Sequence, residues 1–210
     1  MTGGCDKLKI AGIVLAGGLS SRMGQDKAKL QLSEQSLLTR AVDLLEGLDL
    51  DKTLVSGFYP DFNCITDIHQ QCGPIGGLHA CVEALYDDYD ALFILPVDMP
   101  LMGKPQCAAL LLEFKKHPQG VFYEQANFPM ILALTLALKN HLTAALAATQ
   151  KKDYSLYSLL NTLKIQPINV IQQQNYRFQN SNTPDQWLNC LKIHQKILRN
   201  KDESPFNKRV

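Results

Sequence analysis

Residues 9–29, KIAGIVLAGGLSSRMGQDKAK, join a short apolar run to a polar loop that contains two adjacent glycines. The run at 9–16 is rich in isoleucine, valine and leucine, which is typical of a strand buried on both faces. Gly17 and Gly18 let the backbone turn sharply after this run and bring N–H groups close to a ligand. Arg22 and Lys27 add two cations that suit a polyphosphate. The stretch therefore predicts a buried strand followed by a loop that either binds an anion or is a long exposed turn with ordinary surface charges.

The rest of the chain alternates between predicted strands and predicted helices. We expect extended segments at 52–56, 63–66, 91–96, 120–123, 128–137 and 165–170, and helices at 36–48, 76–86, 105–117, 141–149, 154–163 and 184–199. This order predicts an α/β fold, a three-layer Rossmann-like sandwich around a mostly parallel sheet, with 128–137 as the candidate antiparallel strand. Because ligands of such sheets bind at the carboxyl ends of the strands, the candidate site lies in the loops 16–29 and 97–101.

The composition excludes several classes of protein. A chain of 210 residues is expected to form one domain, 1–210, with a flexible tail of about ten residues at its end. A net charge of +1 argues against a dedicated nucleic-acid-binding protein. No apolar segment reaches the ~18 residues that a membrane span requires. The six cysteines lack the spacing of zinc ligands and are expected to be reduced thiols of a cytoplasmic protein.

The loop at 15–28, LAGGLSSRMGQDKA, resembles the signature loop of the molybdenum cofactor guanylyltransferases, and more loosely that of a wider group of nucleotidyltransferases. Further matches follow in the same order, from residue 10 to about residue 190: Asp67, GPIGGL at 73–78, PVDMP at 96–100 and NTP at 182–184. The resemblance implies a nucleotidyltransferase sandwich that transfers GMP from GTP to molybdenum-molybdopterin and releases pyrophosphate. The product would be the molybdopterin guanine dinucleotide cofactor.

The resemblance also implies roles for residues of the first loop and of the second apolar strand. Leu15, Ala16 and Gly17 would line the GTP site. Lys27 would be a catalytic residue whose ammonium holds the phosphates as charge moves to the departing pyrophosphate. Asp98 would contact GTP and bind Mg²⁺, which takes one or two carboxylates together with substrate phosphates.

For Arg22, two roles remain open: a catalytic cation at the same triphosphate, or a salt bridge that shapes the loop.

Four further positions extend the predicted site. Asp67 corresponds to an aspartate of the GTP site, and a carboxylate can accept two hydrogen bonds from a guanine edge, although a turn-capping role is the alternative. Ser56 stands where the family commonly has an asparagine, which leaves its contact with the nucleotide in doubt. Asn182 is either a contact of the acceptor or metal, or the N-cap of the last helix. On the pterin side, only Phe128 and its neighbours match, and they match poorly.

Other functions remain open at the level of sequence. A sibling enzyme would transfer CMP to molybdopterin, or a nucleotide to a sugar phosphate. A non-catalytic assembly partner would bind the pterin or a nucleotide, and the presence of Lys27 and Asp98 argues against it. The expected partners are GTP and molybdenum-molybdopterin, together with molybdoenzyme chaperones or other cofactor-synthesis proteins, and neither nucleic acid nor a membrane.

Overall fold

The computed structural model describes residues 7–17, 26–68, 72–148, 155–170 and 172–202. These residues contain the strands β1 (Ile10–Leu15), β2 (Gln31–Leu32), β3 (Gln35–Ser36), β4 (Lys52–Ser56), β5 (Cys64–Ile65), β6 (Ala91–Pro96), β7 (Gly120–Tyr123), β8 (Met130–Ala133) and β9 (Gln166–Ile168). The α-helices are α1 (Leu37–Glu46), α2 (Gly73–Leu85), α3 (Lys104–Phe114), α4 (Leu136–Ala147), α5 (Leu156–Thr162) and α6 (Pro184–Asp202). Short 3₁₀ helices cover Lys27–Lys29 and Gln172–Phe178.

The main sheet has seven strands in the order β5-β4-β1-β6-β8-β7-β9. The strands β5, β4, β1 and β6 are parallel to one another, and β7 is parallel to β9. Only β8 runs against its neighbours, β6 on one side and β7 on the other. The predicted α/β fold with a mostly parallel sheet is therefore confirmed, and so is the antiparallel strand within 128–137.

The core is densest around the central strands β1 and β6. Ala11, Ile13 and Val14 of β1 are fully buried, as are Phe93 and Ile94 of β6. Burying a large aliphatic or aromatic side chain contributes roughly 1.5–3 kcal/mol, so these runs fix the centre of the sheet. The helix α1 contacts β1 and β4, while α2 contacts β1, β4 and β5, and helices cover both faces.

The prediction was wrong where one strand gives way to a helix. The segment 128–137 was expected to be extended throughout, but β8 ends at Ala133 and α4 begins at Leu136. Thr135 causes the change, because its side chain accepts a hydrogen bond from the backbone N–H of Leu138 and so caps the helix. Helix α4 therefore starts five residues earlier than the expected 141.

The start of α2 was also misplaced. The helix begins at Gly73 rather than at 76, with Pro74 in its first turn, where a missing N–H costs no helical hydrogen bond. Within the predicted loop 16–29, residues Lys27–Lys29 form a 3₁₀ turn that is capped by Asp26.

Two remaining expectations concern the chain ends and membranes. The predicted C-terminal tail falls largely on residues 203–210, which lie outside the described residues. Over the part of the chain that the structure describes, no helix is both long enough and apolar enough to cross a lipid bilayer.

Candidate active site

A cavity of about 320 Å³ opens where β1, β4 and β6 end. The strand register brings these ends together, because Leu15 pairs with Ser56 on one side and with Pro96 on the other. Most of the predicted site residues that are described line this single cavity: Leu15, Ala16, Gly17, Lys27, Ser56, Asp67, Asp98 and Phe128. Asn182 is not among the lining residues, although its side chain contacts Lys27. Arg22 lies outside the described residues.

Backbone hydrogen bonds fix the floor of the cavity. The N–H groups of Ala16 and Gly17 both donate to the Ser56 carbonyl oxygen, at 3.0 and 2.9 Å. The N–H of Val97 donates to the Leu15 carbonyl oxygen at 3.0 Å. The chain thus leaves β1 and β6 along defined paths, and the residues that follow each strand meet at the cavity.

Lys27 and Asp98 form a charged pair on one side of the cavity. The Lys27 Nζ lies 3.7 Å from Asp98 Oδ2, and the two side chains are only 18% and 20% exposed. Lys27 Nζ also donates a hydrogen bond to Asn182 Oδ1. Burial raises the pKa of Asp98 above its ordinary value, while the neighbouring Lys27 ammonium opposes that rise.

The segment before α6 carries Asn182 to this pair. Ser181 is fully buried, and both its backbone N–H and its hydroxyl donate to the Asp98 carbonyl oxygen, at 2.8 and 3.3 Å. The helix itself is capped by Thr183, whose Oγ1 accepts a hydrogen bond from the N–H of Gln186 at 3.3 Å. The Asn182 side chain is therefore directed to Lys27 and does not serve as the N-cap that the sequence left open.

Asp67 lies on the other side of the cavity, beside Ser56. The Ser56 side chain is 1% exposed and its hydroxyl donates to Asp67 Oδ1 over 3.5 Å, the long limit for a hydrogen bond. Burial raises the pKa of Asp67, and the hydroxyl of Ser56 lowers it in part. The buried Ser56 hydroxyl therefore contacts the Asp67 carboxylate.

Gly77 allows α2 to approach these two side chains. A Cβ atom at Gly77 would lie 2.8 Å from Ser56 Oγ and 3.6 Å from Asp67 Oδ1. The first of these distances is shorter than a methyl group tolerates, so only glycine fits without a shift of its neighbours. The GPIGGL stretch thus forms the first turns of α2, and its glycines Gly73 and Gly77 line the cavity with Pro74.

The far wall of the cavity was mostly missed by the sequence analysis. It consists of Ala126, Asn127, Phe128, Leu156 and Asn180. Asn127 has a φ of +57°, a left-handed conformation that asparagine tolerates better than most residues. The sequence analysis had assigned only Phe128 and its neighbours to the site, by a poor match to the family, and nothing in the sequence indicated that Ala126, Leu156 and Asn180 reach the cavity.

The oxygen atoms around the cavity suit a hard divalent cation. Among the described residues, no three His, Cys, Asp or Glu side chains come together as a ready-made metal cage. Magnesium rarely uses such a cage and is held by one or two carboxylates plus substrate phosphates. Asp98 supplies a carboxylate at this cavity and therefore fits the cation that the sequence analysis expected.

Comparisons with known proteins identify the family of this chain. Residues 12–168 match the family described as the MobA-like NTP transferase domain. A molybdenum cofactor guanylyltransferase of Xanthomonas euvesicatoria pv. vesicatoria (strain 85-10) is 38% identical over 176 residues, which cover 84% of this chain and 91% of that protein. A second molybdenum cofactor guanylyltransferase, from Shewanella sp. (strain MR-4), is 25% identical and covers 85% of this chain and 93% of its own.

Solved structures share the fold at lower identity. Molybdopterin-guanine dinucleotide biosynthesis protein A from Archaeoglobus fulgidus superposes with a TM-score of 0.69 at 19% identity, over 90% of this chain and 99% of its own. A nucleotidyl transferase from Methanothermobacter thermautotroptrophicus gives a TM-score of 0.66 at 16% identity, over 91% and 99% of the two chains. At these identities the likeness concerns the fold alone.

Proposed function

Because this nucleotidyltransferase belongs to the family of MobA-like NTP transferase domains, we propose that it transfers GMP from GTP to molybdenum-molybdopterin. In this reaction an oxygen of the acceptor phosphate attacks the α-phosphorus of GTP. The bond between the α-phosphorus and the bridging oxygen to the β-phosphate breaks, and pyrophosphate leaves. The products would be molybdopterin guanine dinucleotide and pyrophosphate.

The strongest support is the division of charge within the cavity. The Lys27–Asp98 pair lies on one side and the Asp67 carboxylate, with Ser56, on the other. A nucleoside triphosphate has the matching character, with an anionic end that needs cations and a base that carries hydrogen-bond donors. The family match supports nucleotidyl transfer, and the 38% identical guanylyltransferase supports GTP as the nucleotide donor.

We assign the phosphate end of GTP to the Lys27 side. The reaction brings an attacking phosphate oxygen towards a triphosphate, so cations must neutralise and align the two anions. Lys27 donates to the phosphates and stabilises the charge that develops on the leaving pyrophosphate. Magnesium, when held by Asp98 and the phosphate oxygens, supplies further neutralisation of that charge.

We assign the guanine base to the Asp67 side. An ionised carboxylate accepts hydrogen bonds only, and guanine presents two adjacent donors, the ring N1–H and the exocyclic amino group. Cytosine presents a single exocyclic amino group and no ring N–H beside it. Asp67 therefore favours GTP over CTP, and Ser56 holds the carboxylate in place for this contact.

The direct test is transfer of a labelled nucleotide. Purified protein is incubated with Mg²⁺, molybdenum-loaded molybdopterin and α-labelled GTP, CTP or UTP in parallel, with a chelator added to a second set. We expect label to enter the pterin product from GTP alone, and only without the chelator. Labelling from CTP in preference to GTP would replace the guanylyl assignment with a cytidylyl one.

A further inference from the structure

Tyr59 connects two parts of the chain that both contribute to the cavity. It lies half-buried in the turn between β4 and β5, and it is not one of the residues that line the cavity. Its hydroxyl lies 3.1 Å from the carbonyl oxygen of Ala16, and 3.2 and 3.4 Å from the two carboxylate oxygens of Asp26. All three neighbours are acceptors, so the single phenolic proton is shared between the end of β1 and Asp26.

The position of Tyr59 is fixed by its own surroundings. Its backbone N–H donates to the Cys64 sulfur at 3.3 Å, and the Cys64 thiol donates back to the Tyr59 carbonyl oxygen at 3.2 Å. Gly57 has a φ of +139°, and a Cβ there would lie 3.0 Å from the Tyr59 ring and 3.4 Å from the backbone nitrogen of Gly17. The ring therefore occupies a place that only glycine at position 57 leaves open.

Asp26 links Tyr59 to the 3₁₀ turn that contains Lys27. Its Oδ1 accepts a hydrogen bond from the backbone N–H of Ala28 at 3.0 Å and so caps the 3₁₀ turn Lys27–Lys29. Lys27 is the first residue of that turn, and its ammonium lies beside Asp98. A displacement of Asp26 would therefore shift the backbone from which the Lys27 side chain extends.

The phenol of Tyr59 can serve as a hydrogen-bond donor at every physiological pH. Burial, followed by the negative charge of Asp26, raises the pKa of Tyr59 well above its ordinary value. The hydroxyl thus keeps its proton over the whole physiological range. A hydrogen bond from a neutral donor to a carboxylate is among the stronger kinds in proteins.

We propose that Tyr59 is a positioning residue for nucleotidyl transfer: its hydroxyl, held between the Ala16 carbonyl and the Asp26 carboxylate, sets where Lys27 stands relative to the end of β1. We call this arrangement the Tyr59 bridge. It rests on nucleotidyl transfer as the reaction and holds for whichever nucleotide is the donor. Tyr59 acts on the substrate only through Asp26, Lys27 and Ala16.

The test is a double-mutant cycle in kcat/KM for the nucleotide, with Tyr59→Phe, Asp26→Ala and the two combined. All assays are run well below the melting temperature of every variant, with the folded fraction measured by circular dichroism. We expect Tyr59→Phe to lower kcat/KM roughly tenfold, because misplacing a catalytic group by about 1 Å lowers the rate by up to ~100-fold. Because both variants break the same bridge, the combined variant should lie within about twofold of Asp26→Ala alone.

Tyr123→Phe is the matched control. The Tyr123 hydroxyl also donates to a backbone carbonyl, that of Gln106 at 2.8 Å, but it makes no contact with Ala16 or Asp26. This variant should lose stability and keep its kcat/KM. The proposal is wrong if Tyr59→Phe retains wild-type kcat/KM, if the two losses multiply, or if the loss only follows a loss of folded protein.

The choice of nucleotide keeps this test separate from the proposed function. The wild-type chain is first assayed with GTP, CTP, UTP and ATP, and the cycle uses the one that is turned over. If CTP is used, the guanylyl assignment fails while the cycle still decides the role of Tyr59. If none is turned over, the dissociation constant of the magnesium nucleotide that binds, measured by calorimetry, replaces kcat/KM in the same cycle.

Discussion

The Asp98 carboxylate combines a costly position with a proposed essential role. Its side chain is only 20% exposed, and burial raises its pKa above the ordinary value, with Lys27 acting in the opposite sense. A carboxyl group whose pKa is raised by folding binds its proton more tightly in the native state. Stability is therefore lost as the pH rises through that pKa, and the ionised group is a net cost at neutral pH.

Asp98→Asn should separate function from stability. We expect it to reduce transfer at least ~100-fold, since the amide cannot replace a carboxylate as a magnesium ligand. Because the buried charge is removed, the melting temperature at pH 7 should stay the same or rise. Calorimetry and the transfer assay measure the two effects, with the exposed Asp87→Asn as the control. Substantial residual transfer would contradict the assignment of Asp98 as the metal ligand.

Lys27→Ala should lower kcat more than it raises KM. The ammonium is proposed to meet charge that develops on the leaving pyrophosphate, and removing such a group costs roughly 100-fold or more in rate. Lys29→Ala is the matched control, because Lys29 belongs to the same 3₁₀ turn and is exposed. Steady-state kinetics of both variants suffice. A change confined to KM would reduce Lys27 to a ground-state contact.

Asp67 should make nucleotide affinity depend on pH. Burial raises its pKa above the usual 3.8, and only the ionised form can accept both guanine donors. The affinity for GTP should therefore be full above the raised pKa and fall as the pH drops through it. Calorimetric titration between pH 4 and pH 8 tests this. Asp67→Asn should bind GTP more weakly at neutral pH, and its affinity should no longer fall as the pH drops. If the GTP affinity of Asp67→Asn still falls at acid pH as in the wild type, another group causes the pH dependence.

At the level of elements, α2 depends on Gly77 for its approach to β4. In a helix interior, alanine is more favourable than glycine by about 1 kcal/mol. A Cβ atom at position 77, however, would lie 2.8 Å from Ser56 Oγ. We expect Gly77→Ala to destabilise the protein by roughly 1–3 kcal/mol and to weaken nucleotide binding. Denaturant unfolding measures the first effect and calorimetry the second.

The double variant Gly77→Ala with Ser56→Ala provides the control. Removing Ser56 Oγ removes the atom that the new methyl group would meet, so part of the lost stability should return. If the double variant is no more stable than Gly77→Ala, the conflict lies elsewhere along α2.

The elements were predictable where hydrophobic pattern and turn residues agreed. The apolar runs of β1 and β6 are evident in the sequence. Because the carboxyl ends of neighbouring parallel strands lie at the same edge of a sheet, the loops after these strands could be expected to place Lys27 near Asp98, as they do. The boundary between β8 and α4 failed because 130–138 is a continuous apolar run except for Thr135. Periodicity cannot divide such a run, and a single capping threonine does.

Contacts between distant segments could not be predicted. The Tyr59 hydroxyl meets an oxygen of Ala16 across 43 positions, and Ser181 meets Asp98 across 83. Such contacts depend on loop paths that no local pattern encodes. The positions of Asn127 and Asn180 in the far wall could not be predicted for the same reason, since each asparagine resembles an ordinary turn residue in the sequence.

At the scale of the whole molecule, the near-neutral charge agrees with a site built from a few placed groups. A net charge of +1 gives little general attraction for a triphosphate, so affinity must come from the cavity. Binding to the folded state alone then raises its stability by about 2.7 kcal/mol when the ligand is at 100 times its dissociation constant.

GTP with Mg²⁺ should therefore raise the melting temperature of the whole protein by roughly 5–10 °C under those conditions. CTP at the same concentration should raise it less, and excess chelator should remove most of the effect of GTP. Differential scanning calorimetry without any acceptor is sufficient. Equal shifts with GTP and CTP would mean that Asp67 does not select the base.

The reversed direction of β8 affects how such a protein can diversify. Because β8 runs against β6, the chain enters the sheet at the cavity edge there, with Met130 opposite Ile94. Residues 126–128, which form part of the far wall, come just before that entry. This part of the wall belongs to the connection between β7 and β8, whereas Leu15 and Ser56 end strands of the parallel half and Asp98 follows one. Insertions or substitutions at 124–129 can therefore reshape this part of the far wall without changing the register of the parallel strands.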